Sequence, residues 1–226
     1  AEQRQAARQR LVEQAEKRSA ERATLVAEVE SKQHERPLRA TVAMASIARA
    51  MEGDVAVVEE AVTTTNNVLE RLGAIRNAEC YFAHRGWALG WGLGCALGVK
   101  LAWPDRPALA ILGEGAAMYG IQGLWTAARY RLGVTFVICN NAQYQILKAG
   151  GRGLGLPQAM AGQFIGHDLV EPEVDFVSLA QSLGVPAVRV SEPDELTQRL
   201  KASLASNQPL LIDVPIHRGT PSAITA

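Results

Sequence analysis

The sequence has few cysteines, no net charge and no long apolar run, and each shortage excludes a class of protein. Cys80, Cys95 and Cys139 are its three cysteines and form no Cys-x-x-Cys pair, which excludes a disulfide framework or structural zinc site and predicts small core residues. Lys plus Arg balance Asp plus Glu at 23 each, so no nucleic-acid partner is expected. The chain lacks an apolar run of about eighteen residues and an N-terminal signal-peptide core. We therefore expect a soluble, cytoplasmic protein with no membrane partner.

Three common signatures of nucleotide and ester chemistry are also missing. No Gly-x-Gly triplet extends to Gly-x-Gly-x-x-Gly, and no glycine–lysine pair forms a phosphate-binding P-loop. A Gly-x-Ser-x-Gly nucleophile elbow is absent too. These absences argue against the usual dinucleotide-binding, NTPase and hydrolase functions.

Residues 1–36 differ in composition from the rest of the chain. They are rich in Ala and in charges of both signs, and they contain no Gly or Pro, a composition that favours a helix. Their larger apolar residues are too few for a buried face. We expect an exposed helical extension, or a linker that rests on something else, followed by one larger domain over residues 37–226.

From Pro37 onward, short apolar runs alternate with helical patterns. The predicted strands are 55–58, 80–82, 108–112, 134–139, 187–190 and 210–214. The predicted helices cover about 40–51, 64–72, 91–103, 117–131, 175–183 and 192–206. Several strand runs are apolar at nearly every position, as in strands buried on both faces. The pattern predicts an α/β fold with a doubly wound, mainly parallel six-stranded sheet and helices on both faces, with ligands at the carboxyl ends of the strands.

The stretch 142–174 interrupts this alternation. It contains Gly150, Gly151, Gly153 and Gly155, and it is long for a connection between regular elements. We expect a functional or mobile loop there rather than a regular element, with the mobility greatest when ligand and partner are absent.

The triplet Gly113-Glu114-Gly115 is distinguished by its position, directly after the apolar run 108–112 and before a helical pattern. Backbone N–H groups at such a junction attract anions, but a carboxylate there would repel a phosphate unless a cation lay between them. Asn140-Asn141 ends the next strand, and parallel pairing would bring Glu114 and Asn141 to one edge, where their oxygens suit Mg²⁺. Equally, Asn140-Asn141 could be only a turn and Glu114 an exposed strand-end acid.

A longer pattern surrounds this triplet. Gly113-Glu114-Gly115, the run Ile-Gln-Gly-Leu-Trp-Thr-Ala-Ala at 121–128 and the run Val-Thr-Phe-Val-Ile-Cys-Asn-Asn at 134–141, followed by Tyr144, closely resemble the signature of thiamine-diphosphate enzymes. In that signature Gly-Asp-Gly precedes Asn-Asn by some two dozen residues. The resemblance covers about residues 37–217 and is to the C-terminal, diphosphate-binding domain of the benzoylformate decarboxylase and acetolactate synthase group.

The resemblance implies roles for individual residues. It implies that Mg²⁺ is held by Glu114, the amide oxygen of Asn141 and the backbone carbonyl of Gln143. The residues it implies for thiamine diphosphate are Thr63, Thr64, Trp87, Leu89, Gly113, Gly115, Ala116, Ala117, Tyr144 and Ile146. Among these, Leu89 would prop the bent cofactor and Trp87 would lie near its aminopyrimidine ring. His84 is a candidate acid or base, the alternative being a loop or interface histidine.

Two residues depart from the family pattern. Glu114 stands where the family has Asp, which adds a methylene at a site where Mg²⁺ demands close octahedral geometry. Ala116 stands where many relatives have a Ser that contacts the diphosphate, so one hydrogen bond to a charged group is lost. The cation would therefore dominate phosphate binding.

The resemblance implies part of an enzyme that decarboxylates or ligates a 2-oxo acid. In the family the catalytic Glu lies in an N-terminal domain, so a pyrimidine-binding domain from another chain or segment would supply it within a homo- or hetero-oligomer. This chain alone is then expected to be inactive. The alternative is a standalone module that binds the cofactor or a partner without turnover, which the two departures favour. An unrelated nucleotide-binding α/β protein is a third hypothesis.

Overall fold

The computed structural model describes residues 2–83, 86 and 88–219, and a parallel sheet lies at its centre. The strands are β1 (Ala56–Glu60), β2 (Tyr81–Ala83), β3 (Ala108–Gly113), β4 (Val134–Asn140), β5 (Ala187–Arg189) and β6 (Leu210–Pro215). Their order is β2-β1-β3-β4-β6-β5, and every pairing is parallel. The predicted six-stranded, doubly wound sheet is confirmed. The strand order reverses between β1 and β3, where such folds form a ligand crevice.

Helices cover both faces of the sheet. They are α1 (Glu2–Lys32), α2 (Ala40–Ala50), α3 (Val62–Thr65), α4 (Val68–Leu72), α5 (Trp91–Ala102), α6 (Glu114–Ala117), α7 (Gly123–Tyr130), α8 (Gln145–Gly153), α9 (Pro157–Met160), α10 (Phe176–Ser182) and α11 (Pro193–Ser206), with a short 3₁₀ turn at Ala78–Cys80. One apolar core contains residues of α1, α2, α4 and α11. The opposite core contains residues of α5, α7 and α10.

Strand β3 explains why apolar runs rather than alternating patterns predicted the sheet. Leu109 and Ile111 point into the first core, whereas Ala110 and Leu112 point into the second. Successive side chains of a strand face opposite sides, so a sheet covered on both faces requires apolar residues at every position. Full burial of each such Leu or Ile contributes about 1.5 to 3 kcal/mol.

The helical extension is confirmed, and its last turns rest on the domain. Leu25 is 0% exposed and Val29 is 8% exposed, because the end of α1 packs against α2 and α4. Leu11, earlier in the same helix, is exposed. Among the described residues, no helix is both long enough and apolar enough to cross a membrane. The domain boundary at residue 36 stays a prediction.

The expectation of a loop without regular elements over 142–174 is wrong, since α8 and α9 lie in that stretch. Gly150 and Gly151 lie inside α8, and each is unfavourable by about 1 kcal/mol relative to Ala. Packing against α9 overrides that preference. A Cβ on Gly151 would lie 3.1 Å from the Cβ of Ala159, so the glycine permits the close contact between the two helices.

Two predicted helices are each divided in the structure. The segment 64–72 becomes α3 and α4, because Asn66 and Asn67 adopt left-handed φ values of 38° and 55°, which asparagine tolerates better than most residues. The segment 117–131 becomes α6 and α7, separated by a turn. A Cβ on Gly120 in that turn would lie 2.9 Å from the carbonyl oxygen of Gly90, so the turn packs closely against the start of α5.

Candidate functional site

A cleft opens at the carboxyl ends of β1, β3 and β4, where the strand order reverses. The residues predicted from the sequence that line it are Thr63, Thr64, Leu89, Gly113, Glu114, Gly115, Ala116, Asn141, Gln143, Tyr144 and Ile146. Ala117 is instead buried in the apolar core behind the cleft. His84 and Trp87 lie outside the described residues. The fold thus brings residues from three separate strand ends to one place.

Glu114 and Asn141 meet at the same sheet edge, as the strand pattern predicts. Gly113 pairs with Cys139 in the β3–β4 register, so the two strands end level with each other. The Gln143 N–H donates to Glu114 Oε1 and to Asn141 Oδ1, at 3.1 Å in each case. Asn141 Nδ2 donates to Gln145 Oε1 at 3.0 Å, which leaves the Asn141 oxygen directed at Gln143. Glu114 is only 5% exposed, so it is not an exposed strand-end acid.

The carboxylate of Glu114 is buried, and the described part of the chain places no basic side chain against it. No Lys or Arg of the described residues forms an ion pair with it. Burial raises the pKa of Glu114 to about 7, against the lowering effect of backbone N–H groups, and the buried Asp213 raises it further. A cation at this carboxylate would favour its charged form.

The second glycine of the triplet is required by close packing. A Cβ on Gly115 would lie 2.8 Å from Cε1 of Tyr144, whereas a Cβ on Gly113 would make only ordinary contacts. The Tyr144 N–H donates to the carbonyl oxygen of His167 at 2.8 Å, which fixes the start of α8. Gly115 therefore lets the Tyr144 ring lie against the chain beside Glu114.

Two hydroxyl groups lie on the β1 side of the cleft. Thr63 is half-buried and Thr64 is buried, and neither hydroxyl bonds to another described residue, so both are available to a ligand. The helices that begin here are short, since α3 and α6 have 4 residues each. The dipole of a helix as short as α6 attracts a phosphate only weakly, in contrast to the dipole of a long helix.

Glu60 is a site residue that the sequence reasoning missed. It is 2% exposed, and its carboxylate accepts hydrogen bonds from Gly90 N at 2.6 Å and Gly92 N at 2.9 Å. These bonds attach the chain around Leu89 to the end of β1, and Leu89 itself is 51% exposed at the cleft. A carboxylate at the end of an apolar strand was the available signal, the same one that identified Glu114.

Fold and site together define a parallel α/β domain with an oxygen-rich ligand cleft at its topological switch point. The family model described as "Thiamine pyrophosphate enzyme, C-terminal TPP binding domain" matches residues 75–214. The chain therefore belongs to the thiamine pyrophosphate enzyme family and contains its C-terminal cofactor-binding domain.

Individual relatives agree with this membership. The chain is 35% identical over 179 residues to benzoylformate decarboxylase of Pseudomonas aeruginosa. The aligned region covers 79% of this chain and 32% of that protein. The acetolactate synthase large subunit of Parasynechococcus marenigrum is 30% identical over 142 residues, 60% of this chain and 22% of that one. The chain thus spans about a third or less of these relatives.

Solved structures of thiamine diphosphate-dependent and benzoylformate decarboxylases are similar to this chain in fold. The thiamine diphosphate-dependent 4-hydroxybenzoylformate decarboxylase of Rhodococcus jostii has a TM-score of 0.72 at 30% identity, over 82% of this chain and 34% of that one. Benzoylformate decarboxylase of Polynucleobacter necessarius has a TM-score of 0.73 at 25% identity, over 84% and 35%.

Proposed function

We propose that this chain is the diphosphate-binding part of an enzyme that cleaves or forms a carbon–carbon bond of a 2-oxo acid, with thiamine diphosphate and Mg²⁺. The observation that carries the proposal is the Glu114 carboxylate, buried beside the Asn141 amide oxygen without a basic partner among the described residues. Mg²⁺ prefers such oxygen ligands and completes its octahedron with phosphate oxygens and water. The residues present therefore fit the cation that the cofactor needs.

In this proposal each part of the cleft has a distinct task. Glu114, the Asn141 amide oxygen and the Gln143 carbonyl hold the cation, and the free hydroxyls of Thr63 and Thr64 donate to phosphate oxygens. Leu89 supports the cofactor at the open side of the cleft. When bound, thiamine diphosphate would supply a nucleophilic thiazolium carbon and a cationic ring that accepts the negative charge developing on the substrate carbon.

The proposed site is half of a complete one. The cleft holds about 90 Å³, well below the roughly 300 to 1,000 Å³ of typical small-molecule pockets. The relatives are about three times as long as the matched region. We therefore assign the aminopyrimidine side of the pocket, and the catalytic Glu, to a pyrimidine-binding domain in another chain or segment, assembled as a homo- or hetero-oligomer.

Calorimetry with thiamine diphosphate and Mg²⁺ tests the site directly. The chain is expected to bind the cofactor weakly and only with Mg²⁺, and Glu114→Ala is expected to abolish binding while the fold survives. Glu52→Ala, which removes an exposed carboxylate outside the cleft lining, is the matched control and should bind as the unaltered chain does. Unchanged binding by Glu114→Ala would mean that the triplet has no cofactor role.

Activity separates this proposal from the standalone binding module. The purified 226-residue chain should not decarboxylate benzoylformate, and a pyrimidine-binding domain from a relative, added in trans, should restore turnover. Cofactor binding without turnover under every pairing tried would favour the binding module. Substantial turnover by the chain alone would refute the split site and make His84 the first residue to examine.

A further inference from the structure

Gln143 is held by its side chain as well as by its backbone. Its backbone N–H reaches Glu114 and Asn141, as described above. Its side-chain Nε2 donates to the carbonyl oxygen of Arg218 at 2.6 Å, and its Oε1 accepts from Lys148 Nζ at 2.9 Å. The side chain of Gln143 is thus bonded at both ends, to residues that do not line the cleft.

Lys148 is the centre of this arrangement. It lies on the inner face of α8 and is 6% exposed, and its ammonium also donates to Asp168 Oδ1 at 2.7 Å. Asp168 in turn forms a β-bridge with Gln143 and an ion pair with Arg218. The guanidinium of Arg218 also donates to the Ala142 carbonyl at 3.2 Å, so the backbone just before residue 143 is bonded to the same charged group.

Burying an ammonium group is unfavourable unless it is paired, and a methionine of similar length would fill the same space in an apolar setting. The presence of a lysine at position 148 is therefore explained by the two oxygen atoms to which its ammonium donates, Gln143 Oε1 and Asp168 Oδ1. One of its two acceptors is the side chain of Gln143 itself, and the other is Asp168, which pairs with Gln143 across the β-bridge. Arg218 adds further donors to Asp168 and to the Ala142 carbonyl.

We propose that Lys148 is a positioning residue for the metal site, acting through Gln143 and supported by Asp168 and Arg218. Its ammonium fixes the Gln143 side chain and thereby the orientation of the Gln143 carbonyl relative to Glu114 and Asn141. This inference rests on the proposed function, since it concerns the cation that the cofactor requires. Partners that orient metal ligands from behind typically change metal affinity 10- to 100-fold when they are removed.

A Mg²⁺ titration of the full chain at saturating thiamine diphosphate tests the inference. Lys148→Met is expected to weaken Mg²⁺ affinity by about 10- to 100-fold, and Lys148→Arg, which keeps the charge and the donors, should recover most of it. Lys201→Met removes a surface ion pair with Glu52 and should leave Mg²⁺ affinity unchanged. With Mn²⁺ as the probe, the electron paramagnetic resonance spectrum of Lys148→Met should differ from that of the unaltered chain, which a purely structural role would not produce.

The outcomes are distinguishable. Wild-type Mg²⁺ affinity and an unchanged Mn²⁺ spectrum in a folded Lys148→Met chain would overturn the positioning role while leaving the proposed function intact. If Lys148→Met does not fold, Asp168→Asn, whose side chain is 41% exposed, provides the same test, and a several-fold loss of Mg²⁺ affinity is expected. No Mg²⁺-dependent binding by the unaltered chain would overturn the proposed function itself, and this inference with it.

Discussion

Glu114 makes the stability of the metal-free chain depend on pH. Its folded pKa is about 7, raised by burial from the ordinary value of 4.5. Well below pH 4.5 the carboxyl is neutral in both states and does not change the free energy of unfolding. As pH rises towards 7 the unfolded chain loses this proton first, so the folded state binds more protons and stability falls. Above pH 7 the loss is complete.

The magnitude follows from the size of the pKa shift. One pKa unit corresponds to about 1.4 kcal/mol, so Glu114 lowers the free energy of unfolding by about 3 kcal/mol at pH 8 relative to pH 4. Glu114→Gln removes the ionisation and keeps an oxygen acceptor for the Gln143 N–H. The variant should therefore be more stable than the unaltered chain by about 3 kcal/mol at pH 8 and nearly equal to it near pH 4.

Urea unfolding at a series of pH values, without Mg²⁺, measures the difference between the two chains. Because both chains share every other titrating group, their difference isolates residue 114. Glu52→Gln is the control, since the exposed Glu52 has a pKa lowered by its hydrogen bond with Lys201 and should give no gain at pH 8. Parallel stability curves for Glu114→Gln and the unaltered chain would refute the reasoning.

Three further substitutions, with Gly150→Ala outside the cleft as a comparison, test packing and hydrogen bonding in the cleft. Gly115→Ala should lower the free energy of unfolding by about 1 to 3 kcal/mol through contact with Tyr144, whereas Gly150→Ala, which meets nothing within 4 Å, should raise it by up to about 1 kcal/mol. Both are measured by urea unfolding. Ala116→Ser should tighten Mg²⁺-dependent thiamine diphosphate binding by about 10- to 150-fold in calorimetry, since a hydrogen bond to a charged group contributes about 1.5 to 3 kcal/mol; equal or weaker binding would contradict a phosphate contact there. Glu60→Gln places an amide N–H against backbone N–H groups and should cost about 1 to 3 kcal/mol, with faster hydrogen exchange at Gly90; unchanged exchange would contradict its anchoring role.

The amino-acid sequence by itself determined the sheet. Residues of β3 and β4 are apolar at nearly every position before the strand ends, Thr135 being the buried polar exception, and such short runs between helical patterns favour strands covered on both faces. Parallel pairing then predicted that Glu114 and Asn141 end at the same edge. The local patterns left open whether the two residues bind a cation, and the family resemblance favoured that role.

Only the tertiary structure decided the helices of 142–174 and the partners of the cleft. Glycines lower the local helix preference of α8, and the packing that overrides it comes from α9, later in the chain. Tertiary structure also decided the partners of Glu60, whose carboxylate accepts hydrogen bonds from the N–H groups of Gly90 and Gly92. It likewise brought Lys148 to Asp168, which lies in another segment. These contacts join residues far apart in sequence, so their energies depend on folded geometry and no local pattern encodes them.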